Sequence, residues 1–342
     1  MGGSMDREKR MGLIKQLEEE CGGPCIVYIT GDRPGLETKI ATDIFPMFHK
    51  HLMQIGEQDC INLFLYSTGG ITMAGYALVN LFREFCKDLN VIIPFKAHSC
   101  ATLISLGANK VIMTPIGQLS PIDPSIEHPL GPVVQIPGQP MGRIAPVNVE
   151  DVNGFIELAR KDFELSKEES MEKVFEILTS KIHPLALGTI QRTREQIALL
   201  AKNLMKYHCD DDEKIKKVVN ALIRERFSHD YIISRREAEE ILELNVIKPN
   251  DSVVQCIMDL FKEYNELFEL DTPFHPETIL VENNSIVSTF NRGIIESSDL
   301  THVFRTTKEI KKIQVPQPGS PVPGEALQER LLQEGWIEDY EI

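Results

Sequence analysis

The chain has 342 residues, 42% hydrophobic and 25% charged, enough apolar surface for one substantial core and a second, smaller module. Fifty-one acidic against 36 basic residues give a formal charge of -15, which repels phosphate backbones and anionic lipid, so nucleic acid and membrane surfaces are excluded as partners. Apolar runs too short for a bilayer, the lack of a secretory leader and seven scattered, odd-numbered cysteines together lead to the expectation of a cytoplasmic protein with reduced thiols.

In chain order, residues 1–4 read as an added tag ahead of a natural start at Met5. Short β-branched runs then alternate with helical stretches, giving strands over 26–30, 61–66, 91–95 and 111–113 and helices over 40–53, 73–85 and 100–108. Strict alternation of this kind predicts parallel βαβ units with right-handed crossovers. Residues 118–147, QLSPIDPSIEHPLGPVVQIPGQPMGRIAPV, break the pattern, and a proline- and glycine-rich loop of that length points to function.

Helices follow. Val152, Phe155, Ile156, Ala159 and Phe163 keep a helical stripe, and Ser166 with Glu169 has the spacing of a capping box that opens the next helix. That helix stops at His183, because Pro184 disfavours helical geometry in the residue before it. Further helices are expected over 188–207, 213–227 and 253–268, and a second capping box, Ser234 with Glu237, opens a short one over 235–244. After Pro273 the texture turns to β, with strands over 278–281, 286–290 and 301–304 around Asn283-Asn284 and Asn291–Gly293 turns. This part is either a small hairpin module or an edge extension of the main sheet. Residues 314–324 form a proline- and glycine-rich linker, and 325–342 an acidic tail with the chain's only tryptophan, Trp336.

Two short segments carry chemistry. In Tyr66-Ser67-Thr68-Gly69-Gly70, between a strand and a helix, paired glycines can expose backbone N–H groups, although Gly-Gly also serves many such turns for backbone geometry alone. In Pro94-Phe95-Lys96-Ala97-His98-Ser99-Cys100-Ala101-Thr102 a strand turns into a small-residue helix with Ser99 at the junction. A nucleophile there has following amides free to bind an oxyanion; a plain N-cap is the structural alternative. Cys21 and Cys25 are the closest cysteine pair, but no second pair or nearby histidine completes a zinc site, and no metal or other cofactor is expected. The acidic run at 209–213 lacks the alternation of a calcium loop and reads as a solvated helix start.

Together, GDRPGLETKIATDI (residues 31–44), LFLYSTGG, VIIPFKAHSCATLISLGANKVIM, QLSPIDP and SHDYIISRREAEEILEL (residues 228–244) resemble the serine dehydrogenase proteinase family of the Clp/crotonase superfamily. The likeness covers roughly residues 10 to 250, in order and with similar spacing. It implies an α/β fold, a Clp/crotonase-like βαβ spiral with distal helices, followed here by the small C-terminal β-rich segment. It also implies a Ser99 nucleophile and an oxyanion hole built from the Gly69 or Gly70 amide with that of Cys100. Family members usually carry Ser-Ala-Gly-Thr at the nucleophile turn; Ser99-Cys100-Ala101-Thr102 departs from this and adds bulk beside the oxyanion hole.

The general base is the open position. Serine needs an adjacent acceptor, and no lysine lies between Lys110 and Lys161 to supply one. Laid against the Clp peptidase pattern, the triad histidine position falls near Asp123 and the triad aspartate near Ser228-His229-Asp230. This suggests a rearranged site with His229 as base and Asp123 orienting it. The alternatives are a turn role for Asp123 between two prolines and a helix-end role for His229. His98, His128 and His183 are lesser candidates, and Ser67 is expected to have a backbone role.

The organisation expected is thus a tag and lead over 1–10, a Clp/crotonase-like serine peptidase domain over 11–270, a β-rich segment over 271–313, a linker over 314–324 and the tail over 325–342. The expected activity is hydrolysis of peptide or protein substrates through a Ser99 acyl-enzyme. It needs no nucleotide, since no Gly-x-x-x-x-Gly-Lys-Ser/Thr loop is present. The resemblance implies a homo-oligomer, trimeric or hexameric. Two other classes remain open: a crotonase-like acyl-CoA enzyme, and a catalytically impaired scaffold whose tail recruits a partner protein. In the tail, Leu327, Leu331, Leu332, Trp336, Ile337 and Tyr340 are apolar anchors suited to docking on this chain's own surface or on a partner.

Overall fold

A computed structural model describes residues 3–122, 125–126, 128–134, 143–145, 147–165, 167–223, 231–280, 284–316 and 324–342. The first half comprises α1 (Gly3–Cys21), β1 (Cys25–Thr30), α2 (Phe45–Ile55), β2 (Gln58–Tyr66), α3 (Thr72–Arg83), β3 (Cys86–Ile93), β4 (Lys96–Ala97), α4 (Cys100–Leu106), β5 (Lys110–Met113) and β6 (Gln118–Leu119). Four two-residue strands follow, β7 (Ser125–Ile126), β8 (Val133–Val134), β9 (Arg143–Ile144) and β10 (Val147–Asn148). Then come α5 (Val149–Glu157), α6 (Glu168–Lys181), α7 (Pro184–Met205), α8 (Asp212–Ile223), β11 (Ile233–Ser234), α9 (Arg235–Glu240), β12 (Val246–Ile247), α10 (Asp251–Phe268) and α11 (Pro276–Ile279). Three long strands close the chain: β13 (Ser285–Glu296), β14 (Thr301–Val315) and β15 (Gly324–Glu338).

The fold is mixed α/β. Among the described residues the main sheet has eight strands in the order β12-β5-β3-β2-β1-β13-β14-β15. The half from β12 to β1 is parallel, as the alternation of runs and helices predicts. β1 is buried along its whole length, the continuous apolar run of a strand covered on both faces. Alternate side chains serve two cores. Ile26, Tyr28, Leu63, Leu65, Val91 and Ile93 pack under α2, α3, α4, α7 and α8, while Val27, Ile29, Phe64 and Ile92 meet α1 and α10.

β13 then pairs antiparallel with β1, and β14 and β15 continue outward. Of the two arrangements open from sequence, the C-terminal β segment is therefore the edge extension. Three local expectations are corrected. Residues around 278 form the helical turn α11 after Pro276 rather than a strand, because proline presets that first helical position. Asn291–Gly293 is a register shift inside β13 rather than a turn, since Arg292 is tied by its guanidinium to the Leu36 carbonyl at 2.9 Å while the strand runs on. The 325–342 stretch, read as an acidic tail, supplies β15, paired with β14 from Val315↔Gly324 to His302↔Glu338. Residues 3–10, expected as part of the tag and lead, belong to α1, which runs on to Cys21 and buries Met11, Ile14 and Leu17. Ser166 lies outside the described residues; at the second capping box the Ser234 hydroxyl accepts the Glu237 N–H at 3.3 Å.

Candidate active site

A second, three-stranded sheet, β11-β6-β4, stands beyond the C-terminal ends of the main strands and carries the serine turn. β4 and β6 run parallel with Lys96↔Gln118 and Ala97↔Leu119 in register, and β11 joins antiparallel with Ile233↔Leu119. Ser67, just past β2, bridges to Ala97: its N–H donates to the Lys96 carbonyl at 2.9 Å and its own carbonyl accepts the His98 N–H at 2.9 Å. The two sequence-predicted turns are thereby laid side by side.

Ser99 sits between β4 and α4 with φ 50° and ψ -110°. Positive φ on a non-glycine residue costs on the order of 1–3 kcal/mol and marks functional turns more often than ordinary ones. The N-cap alternative does not hold, because Ser99 makes no side-chain cap hydrogen bond to α4 and lacks the extended conformation of a cap. Among the described residues its hydroxyl makes no hydrogen bond, while its N–H donates to Ser120 Oγ at 2.8 Å and its carbonyl accepts from Leu103 N at 3.0 Å.

Gly69 faces it. A Cβ at Gly69, whose φ is 110°, would stand 2.8 Å from Ser99 Cβ and 3.3 Å from Ser99 Oγ, so only glycine lets this backbone approach the serine. The two glycine amides differ. That of Gly69 donates to Ser67 Oγ at 3.0 Å and is taken. Gly70 forms a parallel bridge with Ile40, and the hydrogen bonds holding that bridge, Ile40 N–H to Gly69 O and Ile71 N–H to Ile40 O, do not use the Gly70 N–H. Nor do the hydrogen bonds of the serine turn use the Cys100 N–H among the described residues. The N–H groups of Gly70 and Cys100, one on each turn, thus make no hydrogen bond among the described residues.

The extra atom of Cys100 does not crowd that space, contrary to the sequence reading. Its side chain is fully buried toward α3, where Sγ donates to the Ile71 carbonyl at 3.2 Å and packs on Gly75. Burial pushes the thiol up to about 12, so it stays neutral. Ser67 is fully buried and joins the turns through its backbone, while its Oγ accepts from Thr30 Oγ1 at 2.7 Å as well as from the Gly69 amide.

Asp123 and His229 lie outside the described residues. The described chain beside them is anchored near the serine turn: Ile122 N–H donates to the Leu222 carbonyl at 3.0 Å, and Ile233 pairs with Leu119. Of the lesser histidines, His183 caps α7 by accepting the Leu185 N–H at 3.2 Å, and His128 Nδ1 accepts the Leu130 N–H at 3.1 Å within its own loop. Two groups of residues had no signal in the sequence. Thr102 and Ser120 support the serine turn by hydroxyl contacts, and a Tyr66–Asp32–Lys96 cluster ties three strand ends together, with Tyr66 OH and Lys96 Nζ each 2.7 Å from a different Asp32 oxygen. Pairings of a hydroxyl with a distant backbone group, or across 30 and more positions, leave no periodicity to read.

Comparison with known proteins adds family context. Residues 50–153, which hold both turns, match the family of ClpP-like SDH-type serine proteinases, the family that the motifs resemble. Two proteins of Methanocaldococcus jannaschii are similar. The uncharacterized protein MJ0137 is 24% identical over 205 residues, 59% of this chain and 59% of its own length, so the match spans less than two thirds of it. The uncharacterized protein MJ1495 is 22% identical over 265 residues, 75% of this chain and 76% of its own. Among solved structures, a mutant of the 1510-N membrane-bound stomatin-specific protease aligns with a TM-score of 0.35 and 15% identity, covering 66% of this chain and 80% of that one. Among the described residues no helix is long and apolar enough to cross a membrane.

Proposed function

We propose that this chain, matched over residues 50–153 to the ClpP-like SDH-type serine proteinases, is a serine peptidase that cleaves peptide bonds through an acyl-enzyme on Ser99. The observation that carries the reading is Ser99 itself: a hydroxyl on a positive-φ turn, without a hydrogen bond among the described residues, facing a glycine turn. In this reading Ser99 Oγ attacks the scissile carbonyl carbon and the negative charge that develops on the carbonyl oxygen is held by the Gly70 and Cys100 N–H groups. His229, oriented by Asp123, takes the hydroxyl proton and returns it to the leaving amine, and water then releases the acyl group by the same route. The fixed turns make the arrangement preorganised, since both are held by backbone hydrogen bonds before any substrate binds. The reaction draws on no nucleotide. A crotonase-like spiral, assembly into a homo-oligomeric ring and a cytoplasmic location belong to the same proposal.

A fluorophosphonate probe tests it. The wild-type protein is expected to label at Ser99 and to hydrolyse small peptides, and Ser99→Ala to do neither while melting at the same temperature, because its hydroxyl contributes no hydrogen bond among the described residues. Equal hydrolysis by wild type and Ser99→Ala would refute the assignment. His229→Ala is expected to slow labelling by about a hundredfold or more, the usual contribution of a general base.

A further inference from the structure

Ser99 keeps a conformation that a serine does not hold unaided, and one side chain from another part of the chain holds it there. Its N–H donates to Ser120 Oγ at 2.8 Å, with Ser120 only 2% exposed. The Ser120 hydroxyl in turn donates to the Pro121 carbonyl at 3.1 Å, which leaves its lone pairs turned to Ser99. Ser120 is itself held, because its N–H donates to Thr102 Oγ1 at 3.0 Å and the Thr102 hydroxyl donates to the Ala97 carbonyl at 2.8 Å. The chain of contacts therefore leaves β4 at Ala97, passes through the first turn of α4, crosses to the residue after β6 and returns to Ser99. The members that support Ser99 are all buried: Ala97 and Thr102 are 0% exposed and Ser120 2%.

We propose that Ser120 is a positioning residue for the Ser99 nucleophile, acting through the Ser99 amide rather than on substrate; this rests on the reading of Ser99 given above. Two consequences follow from the geometry. With its N–H engaged on the Ser120 side, the Ser99 backbone is turned so that its Oγ faces Gly69, 3.3 Å from where a Cβ there would stand. Ser120 also opens the proline-rich stretch that runs on to Val147, so the start of that stretch and the reactive turn are locked as one unit by the parallel register of β4 and β6. Loss of the Ser120 acceptor leaves the half-buried Ser99 N–H unpaired and lets the turn relax toward negative φ, which carries the hydroxyl away from Gly69.

The experiment measures saturation kinetics of fluorophosphonate labelling together with hydrogen exchange of the Ser99 amide, in wild type, Ser120→Ala, Ser120→Thr and Thr102→Val. Misplacing a nucleophile by about an ångström costs on the order of a hundredfold, so Ser120→Ala is expected to lower the maximal labelling rate by about tenfold or more while the probe's half-saturation concentration stays put. Ser120→Thr, which keeps the acceptor, is expected to restore the rate. Thr102→Val, which removes the support of Ser120 without touching Ser99, is expected to mimic Ser120→Ala in part, and it decides the matter if Ser120→Ala does not fold. The Ser99 amide is expected to be protected in wild type and Ser120→Thr and to exchange faster in Ser120→Ala. Labelling at the wild-type rate in folded Ser120→Ala overturns the proposal. Folded wild-type protein that takes no label at Ser99 defeats the peptidase reading instead; the positioning role then stands or falls on amide exchange alone, and unchanged protection in Ser120→Ala overturns it.

Discussion

The thiol next to Ser99 faces away from it, and this can be tested residue by residue. Cys100 Sγ is bonded to the Ile71 carbonyl, and a Cβ at Gly75 would stand 2.5 Å from that sulfur, so the pair is mutually fitted. Cys100→Ala removes one buried donor and a small volume and is expected to cost about 1–2 kcal/mol of stability, read from denaturant midpoints, with Ser99 labelling intact. Gly75→Ala alone is expected to be more damaging, and the double variant to recover part of the loss, a coupling that a double-mutant cycle measures directly. If the two changes add independently, the sulfur is not packed where the structure has it. The sequence made Ser99, Gly69 and Gly70 legible as candidates because a nucleophile and its amide donors are sought by residue type at strand-to-helix junctions. It could not rank Gly69 against Gly70, since that depends on the Ser67 hydroxyl taking one amide and leaving the other.

At the scale of elements, the parallel strands were legible from β-branched runs, and their two-faced burial explains why those runs are continuous. α1 was not: its buried stripe is only Met11, Ile14 and Leu17, interrupted by Arg10, whose burial makes sense only with Glu296 of β13 opposite. β15 was equally hidden, because an edge strand with acidic side chains toward solvent looks like a tail until β14 is placed beside it. Its anchors are now explicit. Trp336 packs on Phe304 with ring centroids 5.4 Å apart and donates from Nε1 to Asp43 at 3.0 Å, and Glu334 accepts from Arg292 at 2.7 Å. Truncation after Gln314 therefore strips a strand from the main sheet and leaves the long edge of β14 unpaired. The expected result is a lower melting temperature and concentration-dependent association on size exclusion, without the gain in small-peptide hydrolysis that an inhibitory tail would give. A truncated protein that stays monodisperse and melts as wild type would mean that the strand contributes nothing to the sheet.

For the whole molecule, the extension is joined to the first half through buried polar groups, and these set how stability depends on pH. Arg10 meets Glu296 at 2.9 and 3.0 Å while Tyr264 OH donates to the same carboxylate at 2.6 Å, joining α1, α10 and β13. Removing one partner of such a buried pair strands the other charge, so Arg10→Ala is expected to cost about 3–5 kcal/mol. A second junction is built on two histidines. His51 of α2 lies 2.7 Å from Ser297 Oγ through Nδ1 and 3.1 Å from His302 Nδ1 through Nε2, with Lys50 and Glu338 forming an ion pair beside them. Burial lowers His51 from 6.5 to about 3, His302 and Lys50 adding to the effect, and burial lowers His302 as well. Folded His51 is therefore neutral down to about pH 3, and His302 holds its proton less readily than a free imidazole. An unfolded chain takes up protons on these histidines as pH falls through 6.5, whereas folded His51 does not until about 3, so protons favour unfolding throughout that window. The sign is thus full stability above 6.5 and progressive loss below it, by up to about 1.4 kcal/mol per pH unit for His51. Glu338, held below its usual range first by its hydrogen bond from Lys50, loses that contact on further acidification and acts in the same direction. Denaturant midpoints of the wild type at about pH 7.5 and about pH 5.5 are expected to fall with acid, and His51→Gln, which can keep a contact to Ser297 but cannot take the proton, to flatten the dependence. A wild-type midpoint that does not move between those two pH values, or a His51→Gln curve as steep as that of the wild type, would show that this junction does not govern the acid sensitivity of the fold.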